Sequence, residues 1–168
     1  MARSRVSPQS SKDYARNLYV WAVEFYQTYQ AIATASSLGY YLGVDHKFIG
    51  MRHFTLCHTL ELIFKSLLVD TGAYNEQMLK QLGHDLAMLA DAVKRAYSSF
   101  PEVDACMGWI QILNPDYKEK GYEYPINNGR FVGTDDAQFG EAVNALLQAC
   151  ISRVNSYTYR DQPLPPGK

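Results

Sequence analysis

The sequence predicts an all-α fold, an up-and-down bundle of about five helices. Apolar residues recur at steps of three and four along most of the chain, as they do on one face of an α-helix. No segment alternates apolar and polar residues for long enough to build a sheet. A length of 168 residues and an apolar content of 47% suffice for one domain with a substantial core. We expect this domain at 13–158, between a flexible arm (1–12) and a flexible tail (159–168).

The first predicted helix begins at Tyr14 and ends near Leu38, where two nearby glycines interrupt the pattern. Large side chains at helical spacing predict its buried stripe, which comprises Tyr14, Leu18, Trp21, Phe25, Tyr29 and Ile32. Tyr19 and Tyr26 lie off this stripe. We therefore expect them to leave aromatic surface for a partner.

The second predicted helix has apolar residues on both sides. Asp45 suits its N-cap, and Gly72 marks its end. One sector must face the core and contains Leu56, Leu60, Ile63, Phe64 and Leu67. The opposite side also carries apolar residues, namely Met51, Phe54 and Leu62. This helix is therefore expected to be central or to meet a second subunit, which favours a homodimer.

The remaining elements are shorter and separated by glycine and proline. A helical turn over 75–82 precedes a third helix from about Asp85, and a fourth begins at Pro101 or Glu102, using proline as a first-turn residue. The fourth helix is expected to end at Asn114-Pro115. The stretch 114–133 is irregular, and a last helix begins near Thr134.

The composition excludes several classes of protein. Sixteen basic and seventeen acidic residues give a net charge of −1, so no overall field attracts nucleic acid. No apolar run approaches the roughly 18 residues of a membrane span, and the polar start has no segment typical of a secretory signal. Cys57, Cys106 and Cys150 lack metal-like spacing. We expect a cytoplasmic protein with buried, reduced thiols.

A polar stripe on the second helix is the main candidate for a site. His58, Glu61 and Lys65 fall within about 60° of each other, opposite the main apolar sector. Charges embedded among apolar side chains need partners. Glu61 and Lys65 can pair at i,i+4, and His84 and Asp85 are the natural further partners. Two interpretations stay open: a polar network that joins helices, and a ligand-binding site.

The residues of this region resemble the HEPN superfamily. The similarity lies in His58-Thr-Leu-Glu61-Leu-Ile-Phe-Lys65, a Gly72 stop, and Gly83-His84-Asp85-Leu86-Ala-Met-Leu89. It covers about Asp45 to Tyr97 and implies an up-and-down helical bundle that is usually dimeric. The resemblance further implies either an RNase of a defence or toxin system or a noncatalytic module that binds nucleotides or RNA.

The arginine–histidine motif typical of catalytic HEPN RNases is missing. In those RNases, an arginine in the later part of the domain is followed four to six residues later by a histidine. In this chain, no histidine follows His84. The one spacing match, Arg52 and His58, lies on the second helix, with the side chains about 120° apart. We therefore predict a noncatalytic nucleotide- or RNA-binding module. The alternatives are a divergent RNase and a purely structural, partner-binding dimer.

The stretch from Tyr117 to Arg130 is the predicted contact surface outside the stripe. Its basic side chains can hold phosphate, and its aromatic side chains can stack on bases. The candidates are Tyr117, Lys118, Lys120, Tyr122, Tyr124 and Arg130. A tyrosine-rich loop packed over the bundle is the alternative interpretation.

Metal binding and nucleophilic catalysis have weak support in the sequence. His53 and His58 are five residues apart, which misses the spacing of a helical zinc pair. Cys57 and His58 are adjacent and point about 100° apart on a helix, so they cannot pair directly. We therefore expect neither a metal nor another cofactor.

Overall fold

The computed structural model describes residues 8–40, 49–120 and 136–154, and these ranges contain six helices and no strand. The prediction of an all-α bundle is confirmed. The helices are α1 (Pro8–Tyr40), α2 (Ile49–Asp70), α3 (Glu76–Leu82), α4 (Leu86–Ala96), α5 (Pro101–Lys118) and α6 (Asp136–Val154). None of the described helices combines the length and apolarity needed to cross a membrane.

Helix α2 is the central element of the bundle. It packs against α1, α4, α5 and α6. Every residue of its predicted core sector is fully buried. On the opposite side, Leu62 and Glu61 are buried as well. The apolar residues on both sides of α2 are thus accounted for largely by packing within one chain.

The buried face of α1 overlaps only in part with the predicted stripe, of which Leu18 and Tyr29 are buried as expected. Ala15 and Ala22 are fully buried at its centre, Tyr19 and Tyr29 are buried beside them, and Trp21 is exposed. Small side chains let α1 approach α2 closely, and this packing outweighs the pull of the larger aromatic stripe. The expectation that Tyr19 lies on free surface is wrong. Tyr26 is half-buried and donates a hydrogen bond to the Gly140 carbonyl oxygen of α6 (3.1 Å).

Several helix boundaries also differ from the expected ones. Helix α1 begins at Pro8, so residues 8–12 of the predicted arm are helical. Helix α5 begins at Pro101 as expected but continues through Pro115 to Lys118. Burial of Asn114 and Tyr117 on either side of Pro115 holds this last turn, although proline lacks a backbone N–H. The proposed cap Asp45, the residues before Pro8 and the tail after Val154 lie outside the described residues.

The three thiols are free and buried. Burial raises the pKa of Cys106 and of Cys150 to about 12 and raises that of Cys57 above its usual range. All three therefore remain protonated at neutral pH. The expectation of buried thiols is confirmed, and Cys57 has neither the exposure nor the acidity of a nucleophile.

Candidate functional site

The Glu61 carboxylate of α2 lies at the centre of a group of polar side chains, the Glu61 cluster (His58, Glu61, Lys65, His84 and Tyr117). Only 3% of the Glu61 side chain is exposed. Lys65, one helical turn further along α2, donates to Glu61 Oε1 at 2.6 Å. The predicted i,i+4 pair therefore exists, with Lys65 only 14% exposed. This ion pair is partly buried and escapes most of the solvent screening of a surface pair.

The other carboxylate oxygen of Glu61 accepts from two further elements. The Tyr117 hydroxyl of α5 donates to Oε2 at 2.5 Å, and His84 Nδ1 lies 2.9 Å from the same oxygen. Burial alone would raise the pKa of Glu61. The donors around it and the charge of Lys65 outweigh burial, so the pKa of Glu61 lies well below its ordinary value. Glu61 is therefore ionised at neutral pH and can only accept hydrogen bonds.

The ionised carboxylate determines which nitrogen of each histidine carries hydrogen. His84 must donate from Nδ1, because Glu61 only accepts. The Tyr117 hydrogen is directed to Glu61, so the Tyr117 oxygen accepts from His58 Nδ1 at 2.9 Å. Within the described residues, no hydrogen bond occupies Nε2 of either imidazole. Each neutral imidazole thus keeps an accepting Nε2, which becomes a donor when the ring is protonated.

Both imidazoles are partly open to solvent although their Nδ1 atoms face the cluster. The His58 side chain is 25% exposed and that of His84 is 45% exposed. Nδ1 of His58 lies 3.8 Å from Glu61 Oε2, so the two Nδ1 atoms lie within about 7 Å of each other. The two rings therefore lie close together beside one carboxylate.

Aromatic side chains hold His58 in place. The Phe25 ring of α1 meets the imidazole edge-on with centroids 4.3 Å apart. Phe54, one turn earlier on α2, stacks on it at 5.7 Å with an interplanar angle of 8°. Aromatic packing of this kind restricts the ring to one orientation. The position of Phe54 beside the polar stripe was expected from helical spacing, whereas the contact of Phe25 with His58 was not predicted.

His84 lies on the short connection between α3 and α4. It follows Gly83, which ends α3 with φ of +61°, a conformation that favours glycine. The next residue, Asp85, is the N-cap of α4, and its carboxylate accepts from the backbone N–H groups of Ala87 and Met88. This turn and cap direct His84 toward α2. The predicted partnership of His84 with Glu61 is confirmed.

Asp85 belongs to a second polar group rather than to the Glu61 cluster. Its Oδ1 accepts from the Asn114 side-chain amide at 3.0 Å, while Asn114 Oδ1 accepts from the Leu86 N–H at 2.8 Å. Lys118 approaches Asp85 Oδ2 at 3.9 Å. Burial opposes ionisation, but these donors and the α4 N–H groups lower the pKa of Asp85. Asn114 was expected only to mark the end of the fourth helix, and its bonds to Asp85 and Leu86 were not predicted.

The predicted contact surface, Tyr117 to Arg130, begins on α5 and continues into residues that the structure does not describe. Tyr117 is on α5 and only 4% exposed, so its expected position on an exposed loop is wrong. It was singled out for stacking and instead donates to Glu61. Lys118 and Lys120 are exposed at the end of α5, where Lys120 has φ of +58°. Tyr122, Tyr124 and Arg130 lie outside the described residues.

The described residues contain no group of three or more histidine, cysteine or acidic side chains able to hold a metal ion. The available donors are two imidazoles whose Nδ1 atoms are already engaged and a carboxylate whose two oxygens accept from protein groups. These groups can accept or donate hydrogen bonds to a ligand and can exchange protons. Comparison with family models, with characterised proteins and with solved structures finds no match to this chain.

Proposed function

We propose that this protein is a noncatalytic, HEPN-like module that binds a nucleotide or single-stranded RNA at the Glu61 cluster. The observation that carries the proposal is the pair of partly exposed imidazoles, His58 and His84, held through Nδ1 around one buried carboxylate. A rigid scaffold with two oriented hydrogen-bonding groups is typical of a small polar ligand site. The sequence similarity of this region to HEPN domains supports the same ligand class.

Basic side chains beside the cluster extend the proposed surface toward phosphate. Lys118 is 43% exposed and lies near Asp85, the residue after His84. Lys120 is exposed two residues further. The net charge of the chain is only −1, so no overall field attracts nucleic acid. We therefore expect binding to rest on a few phosphate contacts. We expect modest affinity that weakens as the salt concentration rises.

Fluorescence anisotropy with a short labelled single-stranded RNA tests the proposal. We expect binding by the wild type, with the logarithm of affinity falling linearly against the logarithm of salt concentration. Replacing Lys118 or Lys120 by alanine is expected to lower that slope by about 0.7 each, the value for one phosphate contact on a single strand. Lys80→Ala, which removes a more exposed lysine on α3 that pairs with Glu76, is the control. Binding that is absent at low salt would contradict the proposal.

RNA cleavage is the second candidate function, favoured by one observation. The 2.9 Å contact of His84 Nδ1 with an ionised carboxylate resembles the arrangement that orients a general base. Incubation of the labelled RNA with the wild type and with a His58→Ala, His84→Ala double variant separates the two functions. We expect no cleavage by either protein. Cleavage by the wild type that a correctly folded double variant lacks would establish the RNase instead.

A homodimer in the cytoplasm remains part of the proposal. Of the apolar residues of α2 that suggested a dimer, Leu62 is buried and Met51 stays exposed, as do Met88 on α4 and Ile112 on α5. A stable contact would bury about 800 Å² on each partner. Sedimentation at tens of micromolar is expected to give twice the 19.0 kDa chain mass. A sedimentation mass of one chain would contradict the dimer and leave the proposed binding site unaffected. If RNA binding also failed, a structural role in binding a partner protein would remain.

A further inference from the structure

Trp21 is the most exposed of the large apolar side chains in the described residues, at 56%. The other tryptophan, Trp109, is half-buried and stacks on Phe139 with ring centroids 5.3 Å apart. An exposed indole presents a large planar face on which another ring can stack.

The packing of α1 on α2 places Trp21 at the level of the Glu61 cluster along the bundle. Ser66 donates to the Ala15 carbonyl oxygen at 2.7 Å, and Phe25 contacts His58, so the two helices run antiparallel. Between these two contacts, Trp21 lies level with Glu61 along α2. It also precedes Phe25 by one helical turn, and their side chains are about 40° apart around α1. Trp21 is thus on the same side of α1 as Phe25, the residue that contacts His58.

The surroundings of Trp21 suit a small flat ligand better than a protein. Val20 is the other large apolar residue exposed on the described part of α1, and exposed polar residues surround the pair, including Arg16, Asn17, Glu24 and Thr28. Two apolar side chains fall far short of the apolar area in the core of a stable protein interface. An exposed aromatic ring at the level of two partly exposed imidazoles instead suits a ligand whose base stacks on the ring and whose phosphate reaches the imidazoles.

We propose that Trp21 is the stacking platform for a nucleobase of the ligand held at the Glu61 cluster. This inference rests on the proposed function and specifies its substrate class as a base-bearing nucleotide chain. The base stacks on the indole ring, and the sugar and phosphate extend toward His58 and His84. Because every base has a π-face, this contact gives affinity with little sequence preference.

Tryptophan fluorescence reports directly on this contact. Trp109→Phe leaves Trp21 as the only tryptophan of the chain. Addition of single-stranded RNA to this variant is expected to quench the emission, because a stacked base quenches the indole. An abasic oligonucleotide with the same number of phosphates is expected to leave the emission unchanged.

Affinity gives the second readout. Trp21→Ala is expected to weaken RNA binding about 5- to 150-fold, the range for loss of one stacked base. Trp21→Phe is expected to retain most of the affinity, and Val20→Ala is the matched control for loss of an exposed apolar side chain. The abasic oligonucleotide is expected to bind the wild type and Trp21→Ala equally.

The outcomes separate this inference from the proposed function. RNA binding without quenching, and with the affinity of Trp21→Ala within twofold of the wild type, overturns the inference and leaves the proposed function standing. No RNA binding by any variant overturns both. A wild-type dimer that Trp21→Ala converts to a monomer also overturns the inference, because a second copy of the chain then covers the ring.

Discussion

Removal of the Glu61 carboxylate is the strongest test of the cluster. Glu61→Ala takes away the acceptor of three donors: the Lys65 ammonium, the Tyr117 hydroxyl and the His84 imidazole. His84 is 45% exposed and can turn to water, whereas Lys65 and Tyr117 are largely buried. Each buried donor left without a partner costs about 1–3 kcal/mol. Because His58 can still pair with the Tyr117 hydroxyl and water can enter the vacated space, we expect a total loss of about 2–4 kcal/mol.

Denaturant unfolding at pH 7 measures this free energy, and thermal melts are expected to shift by about 4–16 °C for a domain of this size. Lys65→Ala is expected to cost less than Glu61→Ala, because Glu61 keeps the donors on its other oxygen. The Glu76–Lys80 pair of α3 is the matched control, with the same i,i+4 order but high exposure of both side chains. If Glu61→Ala destabilises the fold no more than Glu76→Ala does, the cluster is a solvated surface and the reasoning from burial is wrong.

Four further predictions concern Glu61, Tyr117 and one glycine each of α5 and α6. Because the pKa of Glu61 is lowered in the folded state, its carboxylate stabilises the fold at pH values above the ordinary carboxyl pKa, and this contribution is lost as the pH falls below about 4.3. The free energy of unfolding should therefore decrease less on acidification for Glu61→Ala than for the wild type. Tyr117→Phe removes a charge-assisted hydrogen bond and is expected to cost about 1.5–3 kcal/mol in denaturant unfolding. Gly140→Ala places a Cβ 2.8 Å from the Tyr29 ring and is expected to destabilise by about 1–3 kcal/mol in the same assay. Gly108→Ala, where the new Cβ meets nothing within 4 Å, should instead stabilise α5 by about 0.5–1 kcal/mol.

The sequence predicted those parts of the fold that depend on local pattern. The apolar sector of α2, the start of the third predicted helix near Asp85 and the start of the fourth at Pro101 are confirmed, because helical periodicity and start signals act within a few residues. The buried face of α1 could not be predicted in the same way. Its position depends on how closely α2 approaches, and Ala15 and Ala22 allow a contact that a search for large side chains does not detect.

The candidate site shows the same division between local and distant information. The Glu61–Lys65 pair lies within one helix turn and followed from spacing alone. The His84 contact, 23 residues away, followed from the polar stripe's need for a partner. Tyr117 lies 56 residues from Glu61, and its position depends on α5 continuing past Pro115. Local rules end the helix near that proline, which is why Tyr117 was expected on a loop.

The two interpretations of the polar stripe describe different atoms of the same side chains. Nδ1 of His58 and Nδ1 of His84 belong to a network that joins α2 to α5 and to the start of α4. The opposite nitrogen of each ring stays available, so a network that stabilises the fold also orients two groups for a ligand. His84→Ala is therefore expected to weaken RNA binding with a small change in unfolding free energy, since Glu61 retains Lys65 and Tyr117. Glu61→Ala is expected to lower both. Equal losses of stability in the two variants would mean that His84 serves the network alone.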